Sequence, residues 1–506
     1  MTTPTPEPAA ERRLHPWSWL FVLIAQLRQF IVPLVALLFF GQRDEQALWP
    51  LIGIGVLALS SVWQYFTYRY WIEGDSLVIR SGLLHRQLRQ VPFARIHNVA
   101  LHQNVLHRFF GVAEVRLESA GGDKPEAQMR VLRLSDAMAL EQLVRRRTSA
   151  AAAPAAGSTE TIAGDVGDFA EAPTRTLLQL PPMEVLRLGL VSNRGLLVLG
   201  GGAAALAQFG RGWPTQLIEG IGKSMFGWAD AHHFGPQQYL LVGTTLALGF
   251  IALLRLFSMA LALLQYFGFR LDEQGRRLTV ERGLLTRVRT STPRRRIQAW
   301  TLEEGVLHRL LRRRSLHIDT AASGGRGQQR SLRELAPIAT VDACHALVQH
   351  LLPGASWPPP QWQPVHRLAW LRLAWIGILV TSLVCAVVCW RFGAWGLLVL
   401  AYLPWSVFVA RKHALHAGYA CDEHLVAVRS GWWSRHWRFA EVDKLQALQL
   451  SQSPLDRRFG MATLALDTAG ANALAPPLRI HYLRESEARR LLQQLGEAIS
   501  TRKLRW

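Results

Sequence analysis

The stretch from Tyr68 to Gly122 decides the fold, and it reads YRYWIEGDSLVIRSGLLHRQLRQVPFARIHNVALHQNVLHRFFGVAEVRLESAGG. The chain contains this stretch three times. Phe267–Gly324 reads FGFRLDEQGRRLTVERGLLTRVRTSTPRRRIQAWTLEEGVLHRLLRRRSLHIDTAASG, and Tyr419–Gly470 reads YACDEHLVAVRSGWWSRHWRFAEVDKLQALQLSQSPLDRRFGMATLALDTAG. From the turn glycine (Gly82, Gly283, Gly431) to the leucine of an L-H/D-R triplet (Leu106, Leu307, Leu455) is 24 positions in every copy. A basic residue follows the same glycine by 13 positions: Arg95, Arg296 and Lys444. The two registers predict three copies of one domain.

Composition indicates a membrane protein with basic domains. Half of the 506 residues are hydrophobic and 19 are Trp, yet the formal net charge is +21. Apolar membrane segments joined to basic domains explain both features, and the charge implies an anionic partner, either nucleic acid or lipid headgroups. The four cysteines have neither a disulfide framework nor a zinc-site spacing. We therefore expect no metal and no cofactor.

Each repeat follows a pair of apolar runs long enough to cross a bilayer. Because two spans joined by a short loop form a hairpin, all three repeats are expected on one side of the membrane. The excess of Lys and Arg lies in the repeats and not in the inter-span loops, so the positive-inside rule places the repeats and the N-terminus on the cytoplasmic side of the membrane. The first span of the second hairpin is the weakest, since Asn193 and Arg194 interrupt it. The predicted spans are 17–40, 47–66, 188–209, 239–257, 368–390 and 394–409.

Alternating apolar residues predict about seven short strands in each repeat, closed by a helix. The closing helices are predicted at Ala137–Arg147, Val341–Leu352 and Glu485–Ile499. The predicted organisation is a flexible tail (1–16), hairpin 1 (17–66), domain 1 (67–147), a flexible linker (148–180), hairpin 2 (181–262), domain 2 (263–352), a Pro/Trp linker (353–366), hairpin 3 (367–412), domain 3 (413–500) and a basic tail (501–506).

The order of a membrane hairpin, S-G-L-L, an R-I/L position, L-H-R-x-F-G and a terminal helix resembles the bacterial pleckstrin-homology-like (YdbS/YdbT-like) membrane protein family. The first copy carries this pattern at Gly82, Arg95, Leu106–Arg108 and Gly111, whereas the third has Lys444 and Asp456 at two of the positions. The second copy has Arg312 in place of the final glycine, which puts its turn in doubt. The resemblance implies an α+β fold in which a seven-stranded, partly open barrel is plugged by a C-terminal helix. It also implies links to envelope stress or to resistance against membrane-active compounds.

The L-H/D-R triplets are the nearest approach to a catalytic constellation, because no P-loop, nucleophile elbow, HExxH or CxxC pattern occurs. Asp456 replaces the histidine in the third copy and no carboxylate partner recurs, so we expect a non-enzymatic protein. The favoured interpretation is a turn whose leucine packs inward while its arginine binds backbone carbonyls; headgroup binding and catalysis stay open. The residues expected to be structural are Gly82, Leu106, His107, Arg108, Gly283, Leu307, His308, Arg309, Gly431, Leu455 and Arg457.

A second set of basic residues is expected to contact anionic lipid or an acidic partner, at roughly 1 kcal/mol per residue near the membrane surface. The set comprises Arg95, Arg294, Arg295, Arg296, Arg312, Arg313, Arg314 and Lys444, and the two arginine triplets of the second copy are its best candidates. Nucleic acid is not expected, since no recognition motif is present.

The sequence predicts an interaction or scaffold module that contacts membrane lipids and another membrane protein or a smaller PH-like partner. The alternative is a six-helix transporter or channel component with regulatory domains. Arg28, Arg194 and Arg255 lie in or near the spans without an intramembrane acid, which argues against a proton or cation relay.

Overall fold

The computed structural model describes residues 12–13, 15–21, 23–24, 55–56, 59, 62–63, 66–82, 86–93, 96–119, 127–150, 174–209, 219–220, 222–224, 227, 235–320, 334–468 and 477–501. Residue contacts divide the chain into two compact units. The first comprises 1–173, 179–270 and 279–291, and the second comprises 174–178, 271–278 and 292–506. Most of the first predicted hairpin, Arg28, Arg95 and most of the 148–180 linker lie outside the described residues.

The described residues form twenty-one strands and eleven α-helices. The strands are β1 Arg12–Arg13, β2 Arg69–Glu73, β3 Ser76–Ser81, β4 Gln87–Pro92, β5 Ile96–Gln103, β6 Val112–Ser119, β7 Ala127–Arg133, β8 Arg175–Gln179, β9 Arg270–Gln274, β10 Arg277–Arg282, β11 Arg287–Pro293, β12 Ile297–Glu304, β13 Arg313–Thr320, β14 Glu334–Thr340, β15 Gln363–Pro364, β16 Gly418–Cys421, β17 Leu425–Ser430, β18 Arg435–Glu441, β19 Leu445–Ser451, β20 Met461–Thr468 and β21 Arg479–Arg484. The helices are α1 Val105–Phe109, α2 Leu134–Ala150, α3 Pro182–Val191, α4 Arg194–Phe209, α5 Pro236–Tyr266, α6 Val306–Leu310, α7 Val341–Leu351, α8 Ala369–Phe392, α9 Tyr402–His416, α10 Pro454–Arg458 and α11 Glu485–Ser500.

Each repeat has seven strands within the described residues, but the first of them precedes the predicted membrane hairpin. Strand β15 pairs with β16 across hairpin 3, joining Gln363 to Tyr419, and β1 pairs with β2, joining Arg12 to Tyr70. Strand β8 is likewise the neighbour of β9. The sequence prediction is corrected here, because these strands lie in segments expected to be tail or linker. Each has only two to five residues and its partner is distant in the chain, so local alternation cannot indicate it.

In the first and third repeats the strands form two sheets that share a core with the closing helix. In the first repeat, Leu77 of β3, Val115 of β6 and Val144 of α2 are all buried in one cluster. In the third repeat, Val426 of β17, Leu464 of β20 and Leu491 of α11 share another. The three closing helices lie where the sequence predicts them, at α2, α7 and α11. Helix α7 begins at Thr340, whose hydroxyl accepts a hydrogen bond from the Ala343 backbone N–H.

Exposed strand edges predict that the repeats pack against one another, and consecutive repeats are joined by strand pairing, although the sequence does not indicate which strands pair. The sheet orders are β1-β2-β3-β4, β7-β6-β5-β11-β10-β9-β8, β14-β13-β12-β18-β17-β16-β15 and β19-β20-β21. Strand β5 of the first repeat therefore lies beside β11 of the second, and β12 of the second lies beside β18 of the third. Both pairs are antiparallel. Each of the two seven-stranded sheets therefore contains strands from two consecutive repeats.

Two helical segments among the described residues are long and apolar enough to cross a membrane, α5 and the continuous segment Ala369–His416. Only 11% and 17% of their most apolar windows are buried, which is unlike the core helix of a soluble protein. The second segment comprises α8, a 3₁₀ segment at Gly393–Ala401 and α9, which packs against α8. A Cβ at Gly377 would stand 2.2 Å from Ser406 Oγ, so the two helices approach closely. The prediction of six spans and the partly open barrel remain expectations.

The predicted weak span is broken in the structure. Helix α3 ends at Val191 and α4 begins at Arg194. Arg255 of α5 donates hydrogen bonds to the carbonyl oxygens of Leu190 and Ser192, which closes the break. Those carbonyls have lost their helical partners, and a cation at a helix C-terminus satisfies them.

Candidate functional site

The repeated glycines make a tight turn that no other residue fits. Gly82, Gly283 and Gly431 have φ values of 97°, 110° and 86°, a left-handed conformation that glycine adopts without strain. A Cβ at Gly283 would stand 1.9 Å from the Thr286 carbonyl oxygen, and one at Gly431 would stand 1.9 Å from that of Ser434. These positions hold the fold and offer no side chain to a ligand.

The L-H/D-R triplets form the short helices α1, α6 and α10, each followed by a left-handed residue. Gly111 and Gly460 both have φ 63°, and Arg312 stands at the equivalent place with φ 52°. Arg312 N–H donates to the Arg309 carbonyl at 3.1 Å, as Gly111 does to Arg108 and Gly460 to Arg457. The second repeat therefore keeps the turn, with an arginine carrying the backbone strain that glycine avoids.

In the first and third repeats the middle residue of the triplet, and not the leucine, faces the protein interior, whereas His308 and Leu307 of the second repeat are both half-buried. His107 and Asp456 are 6% and 7% exposed, whereas Leu106 is 44% exposed and Leu307 and Leu455 are half-buried. The prediction that the leucine packs inward is wrong for Leu106. The side chain that packs under a turn is set by where the neighbouring helix approaches, which the local pattern does not contain.

In two repeats this middle residue contacts the helical segment that precedes its domain. The Phe21 ring lies 4.3 Å from that of His107, and Arg372 Nε donates to Asp456 Oδ1 at 3.0 Å. Although burial opposes ionisation of Asp456, hydrogen bonds from Ser453 and the Arg372 guanidinium hold its pKa below the ordinary value. In the second repeat, His308 Nε2 lies 3.1 Å from Ser315 Oγ, and burial lowers the pKa of His308. The imidazole of His308 is therefore neutral and serves as a packing group.

The arginine of the triplet binds the next repeat. Arg108 Nη1 donates to the Leu284 carbonyl at 3.1 Å, and Arg309 Nη2 donates to the Trp433 carbonyl at 2.7 Å. Both carbonyls lie in the turn after the repeated glycine. Arg457, at the same place in the third repeat, is exposed and has no side-chain partner among the described residues.

The two arginine triplets of the second repeat are not brought together. Residues 294–296 form a 3₁₀ turn before β12, and residues 312–314 lead into β13. Because β12 pairs with β13 from Ile297–Thr320 to Glu303–Ser315, the triplets lie at opposite ends of the strand pair. Eight residues of strand separate them, about 25 Å. A single anion site made by both triplets is therefore excluded.

Several arginines of the triplets have structural partners. Arg294 donates to the carbonyls of His350 and Leu351 at the end of α7 and lies 3.7 Å from Glu273. Arg314 pairs with Glu304 at 2.7 Å and stacks on Trp437 with 4.4 Å to the ring centroid. Arg313 donates to the carbonyls of Leu311 and Arg312 over 3.4 and 3.3 Å.

The remaining predicted cations form a smaller set of candidates for contact with lipid or with a partner. Arg295 and Arg312 are exposed. Burial lowers the pKa of Arg296 to about 10, and its Nη1 has no hydrogen-bond partner within the described residues. Lys444 Nζ donates to the Arg295 carbonyl at 2.9 Å, so it joins the third repeat to the second.

Sequence reasoning missed a buried ion pair between the second and third repeats. It lies at the seam between them, where β12 pairs with β18. Arg438 of β18 donates to Asp319 Oδ2 at 2.7 Å and to Thr301 Oγ1 at 3.0 Å. Arg438 and Asp319 are 4% and 8% exposed. They are 119 residues apart in the chain, and no local spacing signals such a pair.

The membrane cations have partners too. Besides closing the helix break, Arg255 donates to Asn193 Oδ1 at 3.1 Å, and Arg194 donates to Gln265 at 2.6 Å. Across the described residues, no group of three or more His, Cys, Asp or Glu could hold a metal ion.

Comparison with known proteins identifies the family of the three repeats. The model of the bacterial PH domain matches residues 20–148, 230–352 and 368–499. The chain is 20% identical over 499 residues to the UPF0699 transmembrane protein YdbT of Bacillus subtilis (strain 168), covering 95% of this chain and 97% of that protein. No solved structure matches the chain.

Proposed function

This chain belongs to the bacterial PH domain family and is a membrane protein with repeated PH domains, and from that premise we propose that it acts as a non-enzymatic scaffold. In this proposal three PH-like domains present binding surfaces beside the anionic leaflet of a bacterial inner membrane. Their partners are membrane lipids and a second protein held in the same membrane.

The observation that carries the proposal is the pairing of consecutive repeats through β5–β11 and β12–β18. The triplet arginines Arg108 and Arg309 bind the next repeat across these seams. These two arginines thus join consecutive repeats, and a pair of repeats that shares one sheet offers a continuous surface to a partner.

The cytoplasmic orientation is supported by the distribution of Lys and Arg and by the way hairpin 3 leaves and re-enters the domain through paired strands. An impermeant maleimide applied to intact cells tests it. Ala394→Cys, in the turn between the two helices of hairpin 3, is expected to be labelled, whereas Glu423→Cys, in the third domain, is expected to be labelled only after lysis. The unsubstituted chain gives the background from its native cysteines. Labelling of Glu423→Cys in intact cells would reverse the proposed orientation.

Contact with anionic lipid is proposed for the exposed cations Arg295 and Arg312. Each basic residue near an anionic surface contributes roughly 1 kcal/mol, and salt screens that contribution. Reconstitution in nanodiscs with and without phosphatidylglycerol, followed by hydrogen exchange, tests the contact. We expect lipid-dependent protection around these two residues that Arg295→Gln with Arg312→Gln abolishes. Equal protection in both lipids would refute lipid contact and leave the scaffold role standing.

The scaffold role itself is tested by identifying partners. Full-length tagged chain, cross-linked in cells before solubilisation, is expected to retain specific membrane proteins. A matched variant, Arg309→Gln, weakens the seam between repeats and is expected to retain fewer of them. For the proposed role in envelope stress, a strain lacking the chain is expected to grow worse under membrane-active compounds. An identical protein profile for the tagged chain and an unrelated six-span protein would contradict the scaffold proposal.

A further inference from the structure

The two seams inside the chain use one register. In the first, Leu101 of β5 lies opposite Arg289 of β11, and in the second, Leu302 of β12 lies opposite Trp437 of β18. These are equivalent positions of the repeats, counted from the turn glycines. In each seam the open edge is the first of a repeat's last three strands, β5 or β12. The third strand after the next predicted hairpin, β11 or β18, pairs with that edge.

Each end of the chain carries one half of this interface without its counterpart. Strand β19 corresponds to β5 and β12, and its only strand neighbour among the described residues is β20. Strand β4 corresponds to β11 and β18, and in the same described part of the chain it adjoins only β3.

The exposure of the strand residues differs in the same way between the internal seams and the two unpaired strands. All but one residue of β12 is buried, whereas in β19 only Leu445 is buried. Residues 87–90 of β4 are all exposed, whereas their counterparts in β11, residues 288–291, are half-buried or buried. The positions that the internal seams cover are therefore open to solvent at both ends.

Strand β19 lacks the features that prevent strand addition, whereas β4 carries Arg89 and Pro92. Proteins blunt exposed edges with charges, most often Lys, or with proline. Strand β19 reads LQALQLS and has no charged residue and no proline. Strand β4 exposes 67% of Leu88, and the register of the internal seams places Leu88 opposite the half-buried Leu450.

Arg457 supplies the polar contact that the internal seams also have. Its counterparts Arg108 and Arg309 donate to backbone carbonyls of the following repeat, while Arg457 is exposed. A domain added at β19 gives Arg457 the same kind of acceptor.

We infer that β19 of one copy of this chain pairs antiparallel with β4 of a second copy, in the register of the internal seams. The occupant is a second copy because the exposed partner strand, with its exposed leucine at the matching position, is present in the same chain. The contact is head-to-tail, so it builds a closed ring or an open row of copies in the membrane plane. The inference rests on the proposed function only in requiring that both copies place their domains on one face of the bilayer.

Disulfide trapping in native membranes tests the register. The inferred pairing sets Gln449 opposite Arg89, and directly opposed residues have Cβ atoms about 4.5–5.5 Å apart. Two differently tagged full-length chains are co-expressed, one with Gln449→Cys and one with Arg89→Cys, and oxidised. We expect a disulfide between the two tags. Gln446→Cys in place of Gln449→Cys moves the thiol about 10 Å along the strand and is the off-register control.

Charge at the same exposed position gives a second readout that does not depend on a disulfide. Gln449→Lys faces the cation of Arg89 and Gln449→Glu attracts it, so the apparent dissociation constant between copies is expected to rise up to about fivefold in the first and to fall in the second. Gln493→Lys, on the exposed face of α11, adds the same charge away from the edge and is expected to change nothing.

Trapping equal to the off-register control, or equal association of the lysine and glutamate variants, overturns the inference. So does capture of a different PH-domain protein at β19 in place of a second copy. Maleimide labelling of the same samples shows whether both copies have the same orientation, which separates failure of the inference from failure of the proposed function.

Discussion

Arg372 Nε lies 3.0 Å from Asp456 Oδ1, and this pair joins the first turn of α8 to the triplet turn α10 of the third repeat. The equivalent places in the first repeat hold Phe21 and His107, whose rings are 4.3 Å apart. An ion pair in one repeat thus stands where a ring contact stands in another, at the point where the preceding helical segment meets its domain.

Removing one member of this pair is expected to destabilise the third repeat. Asp456→Ala leaves the Arg372 guanidinium, only 19% exposed, without its carboxylate, at a cost of about 1–3 kcal/mol. The matched control is the double variant Arg372→Phe with Asp456→His, which installs the pair of the first repeat and is expected to recover most of the loss. Thermal unfolding of the full chain in detergent measures both. Equal loss in the single and double variants would show that the pair is not the cause.

The same pair makes stability depend on pH. The pKa of Asp456 is lower in the folded protein than its ordinary value of 3.8, so its stabilising effect is complete above that pH and is lost as the pH falls through the folded value. The difference in unfolding temperature between the wild type and Asp456→Asn is expected to shrink below pH 3.8. A gap that persists unchanged at pH 2 would contradict this.

His102 on β5 is expected to make the first seam acid-sensitive. Burial, reinforced by Arg116, lowers the pKa of His102 to about 4, whereas the unfolded chain takes up this proton near 6.5. Between these values the unfolded state binds more protons, so stability falls as the pH drops from 6.5 towards 4. His102→Gln is expected to flatten that part of the pH profile. Cross-linking of Gln103→Cys to Arg287→Cys, a paired position, then reports whether the seam stays closed.

Arg312 offers a stabilising substitution. Its φ of 52° costs an ordinary residue about 1–2 kcal/mol, which glycine avoids. Arg312→Gly is expected to raise the stability of the second repeat by about 1 kcal/mol, and the reverse change Gly460→Arg is expected to lower that of the third by a similar amount. Chemical denaturation of the two variants compares them, and a loss of stability in Arg312→Gly would mean that its side chain has a contact worth more than the strain.

The buried seam of Arg438 and Asp319 is expected to be intolerant of single changes. Asp319→Ala leaves a buried guanidinium without its acid and costs about 3–5 kcal/mol. Replacing both residues by leucine removes both charges and is expected to cost much less, because no unpaired charge remains. Cross-linking of Leu302→Cys to Trp437→Cys measures whether the seam survives. A double variant as damaged as the single one would show that packing, not charge, decides.

The prediction of turns and closing helices was confirmed where the signal is local. The turn glycines indicate a left-handed turn, and the N-cap residue Thr340 indicates the start of the closing helix at Val341. Expectations failed where a contact spans a long stretch of chain. Strands β1 and β15 are too short for a residue periodicity to be detected. The two arginine triplets were predicted to form one anion site, although a full strand separates them.

The sequence by itself determined that there are three copies of one domain, that apolar segments precede them and that each closes with a helix, because periodicity, turn chemistry and hydrophobic length are properties of neighbouring residues. Only the tertiary structure decided that the first strand of each domain lies before the membrane segment and that the edge of one repeat is covered by the next. Backbone hydrogen bonds between strands carry no side-chain code, so the partner of an edge is set by which strand the folded chain brings beside it.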